Sequence, residues 1–585
     1  MRSFFSLLVS LSLICGAFFS TAAAQTQQTF AASELTLVDK DAPAILVSVR
    51  SANSVLDACD KTIDKINEPT FKFYTSVLRL YLSQKGPLGG FDLDRPFALI
   101  IDPHYGAAAI FPVQDWNSIK KNLTSNGGVL TNIEQNRYKY TNDSDEVFLS
   151  LQDKWLAVSP DPETAVLKAI PQPCLGAMER ITEAYLAGCA VNLSRMTIQQ
   201  LKDSVKGLQK QLEASLPLEG MLDGLFQLQL QALCKSVSQS VQRYQKDNLK
   251  FVLGINFDPE FGVRMDVILS ARAETETAKL FNQFKRSQTH LLGFYNSEAA
   301  MSLSVSNLGR LALFDNPAGV ESLKNTIEKY IEFANANPSD KDFKSIANEL
   351  TTIFTQTLAE SSNEIAITLR ANPEQGATIV GAMFCKNGLD IEKQLFDLIK
   401  KEVLNGNKAM YTLYQGFKQN VAKVNDVKIH TITLPLPKET SNYKSWQRIF
   451  KNDKIVVAIG FRKDMVCWGV GAQSVEELKR SIENSAHPQN APIFQYNTQY
   501  GTIIQFIEAY DLISKEEANK FAKFKKSLGK QFYQKCEKRS LLFFEQTASE
   551  SAFRRQEEIS FDAIKFIVKY LNWNEAKSKI SVESR

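Results

Sequence analysis

At 585 residues, 44% hydrophobic and 23% charged, the chain has apolar material for several packed cores, and length alone suggests about three to four domains. A net charge of +4 is too small for this size to attract nucleic acid through a global field. Of the cysteines, Cys15 sits near the N-terminus, and Cys59, Cys174, Cys189, Cys234, Cys385, Cys467 and Cys536 are sparse and without CxxC spacing. A disulfide framework is therefore not indicated, although one bridge is possible, and Cys189, Cys385 and Cys467 fall in apolar runs that suit buried thiols.

The first element in chain order is a leader. Met1-Arg2 gives a positive start, Phe4 to Phe19 an apolar core, and Ala22-Ala23-Ala24 before Gln25 a small-residue cleavage site. The reading is a signal peptide over 1–24, cut between Ala24 and Gln25, with the mature chain secreted or periplasmic. Cys15 follows Leu13-Ile14 and lacks the small residue that a lipid-anchor site wants just before it. An uncleaved signal anchor is the alternative. Nothing later reaches about 18 continuous apolar residues, so no transmembrane segment is expected beyond the leader.

Three separated stretches then carry nearly the same turn: Asp102-Pro103-His104-Tyr105-Gly106, Asp258-Pro259-Glu260-Phe261-Gly262 and Asn372-Pro373-Glu374-Gln375-Gly376. Asp or Asn bonds the next backbone groups, proline presets φ, and glycine accepts positive φ, so each predicts a hairpin. The flanks alternate as strands do, with Phe97, Leu99 and Ile101 before the first turn and Val263, Met265, Val267 and Leu269 after the second. Helix-like runs follow, with Leu280, Phe281 and Phe284 in one and Ile391, Leu395, Leu398 and Ile399 in another.

Around these hairpins the sequence divides into strand–helix–hairpin–helix units over 43–123, 184–285, 298–401 and 491–573. In the last, Ala548-Ser549-Glu550 replaces the proline turn between Leu541–Glu545 and Glu557–Phe561. A β-meander with a helix is inserted at 127–172 and again at 420–485. Asp161-Pro162 is expected to start the first inserted helix, and Ser474 with Glu477 to form a capping box on the second. The second turn lies farther from the first than the third does from the second, by about one insert. The predicted fold class is thus α+β: tandem repeats of mostly antiparallel sheet backed by helices, duplicated as unit–insert–unit in 43–285 and 298–573. Pro171-Gln172-Pro173, Asn335–Asp340 and Leu434–Tyr443 are expected loops.

Chemistry is sparse. The histidines, His104, His290, His430 and His487, show no metal-ligand spacing. There is no nucleophile elbow, phosphate loop or zincin helix. Gly469-Val470-Gly471 between a strand and a helix lacks the third glycine and acidic partner of a dinucleotide turn, so it reads as a close-packed strand end. His104 reads as a solvated turn histidine, and Asp92 and Asp94 as solvated carboxylates sharing a strand face. No catalytic, cofactor or metal residue is assigned. From Lys515 to Arg539, Phe521, Phe524, Leu528 and Phe532 recur at helical spacing, with Lys520, Lys523, Lys525, Lys526 and Lys530 around them. Such a basic amphipathic helix can make weak contact with an anionic surface, or can be the last unit's own connecting helix with its aromatic stripe on the sheet.

The leader, the opening strand Pro43-Ala44-Ile45-Leu46-Val47-Ser48-Val49 and the repeated units resemble large exported bacterial proteins of unknown function. That resemblance implies an architecture and transfers no activity, cofactor or site. Asn122-Leu123-Thr124, Asn142-Asp143-Ser144 and Asn192-Leu193-Ser194 are glycan-acceptor patterns that matter only in a eukaryotic secretory route. The leading functional expectation is an exported, non-enzymatic scaffold or binding protein with an unknown protein or apolar ligand as partner. The runner-up is a carrier of lipid or another apolar ligand in a sheet–helix cavity, and the third is an enzyme whose site only the fold assembles.

Overall fold

The computed structural model describes residues 41–570 except 69, 84–85, 87–88, 126, 143–144, 201–241, 285–287, 307–363, 373, 407–410, 412–413, 437–442, 493, 510–514, 529–540 and 549–550. The chain is a mixed α+β protein, and every strand pairing described is antiparallel. Two compact lobes divide it: Gln25–Lys285 with Thr547–Lys565, and Arg286–Gln546 with Phe566–Arg585.

The first lobe opens with β1 (Ile45–Val49), α1 (Ala52–Ile66), α2 (Thr70–Leu82), β2 (Phe97–Asp102), β3 (Gly106–Pro112) and α3 (Trp116–Ser125). The meander follows as β4 (Val129–Glu134), β5 (Arg137–Asn142), β6 (Asp145–Gln152) and β7 (Trp155–Ser159), then α4 (Ala165–Lys168) and α5 (Gln172–Ala184). It continues through β8 (Ala187–Asn192), β9 (Lys250–Asp258), β10 (Gly262–Ser270) and α6 (Glu276–Phe284). Pairing places the strands in the order β4-β5-β6-β7-β3-β2-β1-β8-β9-β10.

Strand alternation fixes which face is the core. Leu46, Ala98, Ile100, Ala108, Ile110, Ala190 and Val252 point to one side, where Cys174, Ala177, Met178 and Ile181 of α5 meet them. Those four recur at i, i+3, i+4 and i+7, the spacing of a single helix stripe. Gly254 permits the close approach, since a Cβ there would stand 2.4 Å from the Tyr185 ring.

The second lobe contains β11 (Gln288–Thr289), β12 (Met301–Val305), β13 (Ile365–Asn372), β14 (Gly376–Phe384), α7 (Gly388–Leu404), β15 (Phe417–Val424), β16 (Val427–Pro435), α8 (Tyr443–Phe450), β17 (Lys454–Arg462), β18 (Met465–Gly471) and α9 (Ser474–Glu483). Then come β19 (Gln489–Asn490), β20 (Phe494–Gln499), α10 (Tyr500–Ala509), α11 (Lys515–Leu528) and β21 (Leu541–Ala548). Its order is β15-β16-β17-β18-β14-β13-β12-β20-β21, and β11 pairs with β19. The helix α8 starts at Tyr443, the last residue of the stretch expected to be a loop, and buries Ile449 and Phe450.

The last strand, β22 (Ala552–Ser560), belongs to the first lobe, whereas its place in the chain predicts the second half. It pairs with β10 from Gly262↔Ser560 to Ser270↔Ala552. Side-chain charge explains the match: Arg264 and Glu558 stand directly opposite at 2.6 Å, and buried Asp266 holds Arg554 at 3.0 Å. A helix follows at 561–570.

Candidate functional site

All three repeated turns are hairpin ends, with Asp102↔Gly106, Asp258↔Gly262 and Asn372↔Gly376 in register. Their glycines have φ of 83, 151 and 98°, where a side chain is strained. Asp102 Oδ1 accepts from the His104 and Tyr105 amides, and Asp258 Oδ1 from those of Glu260 and Phe261. Pro103 and Pro259 occupy exposed tips, whereas Pro373 lies outside the described residues. The similarity ends with burial, because Asp258 is exposed and Asp102 is not.

Asp102 is the centre of a sealed cluster in the first lobe. Its Oδ2 accepts from the Ala44 amide at 2.8 Å and from Arg195 Nε at 2.6 Å, and Arg195 Nη2 reaches Oδ1 at 2.9 Å. The guanidinium also lies 4.6 Å from the Tyr105 ring. Burial alone raises the Asp102 pKa, but Arg195 and the three amides outweigh it and hold the carboxyl below its ordinary value. This ion pair ties the start of β1, the β2–β3 turn and the segment after β8 together.

A second sealed cluster surrounds His430 on β16. The imidazole is 2% exposed, with the rings of Phe396, Phe417 and Phe461 at 5.0, 6.0 and 5.9 Å. Its Nδ1 accepts the Asn420 amide at 3.3 Å, which places the proton on Nε2, 3.2 Å from Glu392 Oε1 on α7. Asn420, at φ 52°, falls in a register shift of β15 between Lys418 and Ala422 that aims this amide at the ring. Burial pushes the His430 pKa down, Glu392 pulls it up, and Lys428 pushes it down again, with burial dominating.

A histidine whose folded pKa is depressed stabilises the fold above its unfolded pKa of about 6.5, and that stability is lost as pH falls below it. Protonation would also place a donor at Nδ1 against the Asn420 amide. Hydrogen exchange in β15, β16 and α7 is therefore expected to speed up by about tenfold per pH unit, relative to intrinsic rates, between the unfolded and folded pKa values. In His430→Gln that acceleration should vanish; an unchanged pH profile would remove His430 as its source.

Another buried carboxyl, Glu364, accepts from Thr289 Oγ1 at 3.0 Å and the His290 amide at 2.9 Å, while His290 stacks on Phe384 at 4.6 Å. Burial raises the Glu364 pKa against the pull of His290. Among the described residues, no group of three His, Cys, Asp or Glu could hold a metal, and no helix is long and apolar enough to cross a membrane.

His104 is exposed at its turn. Asp92 and Asp94 lie in a turn, not a strand, where Asp92 Oδ1 accepts the Asp94 amide and Asp94 accepts from Asn53. Gly471 has φ 127°, and a Cβ on Gly469 would stand 2.7 Å from the Ser474 carbonyl, a tightly packed strand end. Neither expected cap forms. Asp161 accepts the Glu163 amide ahead of α4, whose N-cap is Thr164. Ser474 is the first helical residue of α9 after Gln473, and Glu477 turns to Arg370 and Arg480. The side chain of Asn192, one of the glycan patterns, is buried and donates to the Ala42 carbonyl.

Cys174, Cys385 and Cys467 are free, buried thiols pushed up to about 12, 11 and 12 by burial; Cys59 is exposed and Cys189 half-buried. Cys234, Cys536, Ala24, Gln25 and Lys530 lie outside the described residues, as does the side chain of Lys520. On α11, Phe521, Phe524 and Leu528 are buried against Leu369, Ile504 and Phe566, Lys523 and Lys526 are exposed, and Lys525 is half-buried. A charged cleft of about 730 Å³ is lined by Arg243, Lys246, Asp247, Arg272, Glu274 and Glu276.

No known family matches this chain, and neither a curated protein nor a solved structure matches it.

Proposed function

We propose that the chain is an exported, non-enzymatic binding protein on an internally duplicated scaffold, akin to the large exported proteins built of repeated units. The Met1–Ala24 pattern supports export. Support for duplication comes from strand order: β4 to β7, then β3, β2, β1, β8 and β9 in the first lobe correspond to β15 to β18, then β14, β13, β12, β20 and β21 in the second.

The observation that carries the binding reading is the second face of the first lobe's sheet. Opposite the buried Leu46, Ala98 and Ile100, Val47, Leu99 and Ile101 are 38, 43 and 45% exposed. Val47 pairs with Leu99 and Ile45 with Ile101, so they form one patch, which continues to Cys189 and Val191 of β8. An exposed apolar group of this kind suits an apolar partner surface or ligand. The titratable clusters, by contrast, are engaged in joining elements.

Native mass spectrometry of the protein taken from its own compartment tests the reading, together with Leu99→Glu and Ile101→Glu. A co-purifying protein lost in both variants is the expected result, with affinity falling at least about tenfold. Bound lipid lost in the same variants would favour the carrier instead. Equal occupancy in wild type and variants would end the assignment to this face.

A further inference from the structure

In the hairpin of α1 and α2, α1 buries Leu56, Ala58, Ile63 and Ile66, whereas α2 is inside out. Asp57, Asp60 and Asp64 lie on one side of α1, and α2 meets them with Arg79, Thr75 and Lys72. Arg79 Nη2 lies 2.7 Å from Asp57 and 2.8 Å from Asp60, Thr75 Oγ1 donates to Asp60 at 2.5 Å, and Lys72 Nζ lies 2.5 Å from Asp64. The hydrogen bond from Thr75 and the contact with Arg79 hold the Asp60 pKa below its ordinary value. Polar side chains thus face the neighbouring helix, and the apolar residues of α2 are left outside: Phe71, Phe73, Tyr74, Leu78, Leu80 and Tyr81 are all exposed, Phe73 by 69% and Leu80 by 67%. In a helix that merely covers a core the two sets would be exchanged.

The pattern of the exposed set selects the partner. Phe71, Tyr74, Leu78 and Tyr81 repeat at three, four and three residues, the spacing of a two-heptad seam. Read antiparallel about a two-fold axis, Phe71 falls opposite Tyr81 and Tyr74 opposite Leu78, so the stripe is self-complementary. Charge points the same way. Both cations of α2 are neutralised by α1 aspartates, so the apolar side carries none of the free lysines and arginines with which an interfacial helix grips lipid headgroups. The four seam side chains, 43 to 60% exposed, offer on the order of 400 Å² per copy, about half of the roughly 800 Å² per partner of a standard interface, which suits a dimer that forms and dissociates with concentration.

We propose that α2 is a homodimerisation seam, occupied by the same helix of a second copy. This goes beyond the sheet-face reading and stands whether or not that reading holds. The test is sedimentation equilibrium on the full chain at micromolar concentrations, with Leu78→Lys and Tyr74→Glu as variants. Wild type is expected to be dimeric, and each variant to dissociate at least about tenfold more readily with unchanged circular dichroism. Mixing the two variants should restore a dimer, because the new lysine and glutamate then face each other across the seam. A monomeric wild type, or variants as dimeric as wild type, would overturn the proposal. So would variants that fail to recover on mixing, or a monomer that binds phosphatidylcholine vesicles through this helix.

Discussion

Asp102→Ala is expected to cost the first lobe about 3–5 kcal/mol, while Asp258→Ala, in an almost identical turn, should cost about 1 kcal/mol or less. The difference lies in what else each carboxylate holds. Asp258 caps two amides at an exposed tip. Asp102 caps two, takes a third from Ala44, and neutralises Arg195, whose side chain is itself largely buried. Alanine would leave that guanidinium without its counter-charge in a site from which water is largely excluded. The paired change Asp102→Leu with Arg195→Met should recover only part of the loss, since the amides of Ala44, His104 and Tyr105 would still lack an acceptor.

The pH dependence of this pair has a definite sign. With the Asp102 pKa held below its unfolded value, the stability it supplies is complete above the unfolded pKa of about 3.9 and disappears as pH falls through the folded one. Wild type and Asp102→Ala should therefore converge in acid. Urea denaturation at neutral and acid pH, followed by hydrogen exchange in β1, β2 and β8, measures both effects. Equal midpoints for Asp102→Ala and Asp258→Ala would remove the ion pair from the account of the fold.

These two aspartates also mark where sequence reasoning reaches. A turn is set by residues within five positions, so Asp-Pro and Asn-Pro followed by glycine were enough to locate hairpins at 102–106, 258–262 and 372–376. The ion pair of Asp102 with Arg195 joins residues far apart in the chain, and no local pattern announces it. His430 is similar: its site needs Glu392 from α7, the Asn420 amide from a distorted β15 and three phenylalanines. The bulge that aims Asn420 left no recognisable mark in the sequence. The pairing of β22 with β10 depends on Arg264 and Asp266 meeting Glu558 and Arg554, a match visible only once the strands are in register. Ser474 illustrates a different failure. A serine with a glutamate three residues later has the composition of a capping box, but the helix begins at the serine itself, which therefore cannot cap it.

Phe524→Ala is expected to cost the second lobe about 3–5 kcal/mol, while Lys523→Gln and Lys526→Gln together should change stability by no more than about 0.5 kcal/mol. A basic amphipathic helix with an aromatic stripe has two possible fates, and the stripe can serve only one at a time. In α11 it is committed to the core: Phe524 lies 5.8 Å from the Phe521 ring, 5.7 Å from Phe566 and 6.3 Å from Tyr570. Leu528 one turn later is fully buried, and Tyr500 stacks on the same Phe566 at 4.5 Å. Truncating Phe524 removes the centre of this aromatic group and opens a cavity that its ring neighbours can close only in part. Inserting the stripe into a bilayer would require the same rings to leave the core, at a cost comparable to that of the mutation, whereas the exposed lysines could touch an anionic surface without moving them. Co-sedimentation with anionic vesicles separates these cases. Any binding should be weak, removed by salt and by Lys523→Gln with Lys526→Gln, and insensitive to Phe524→Leu, which keeps most of the core volume. Salt-resistant binding that depends on Phe524 would mean the helix leaves the lobe, and the packing described for α11 would not be its working state.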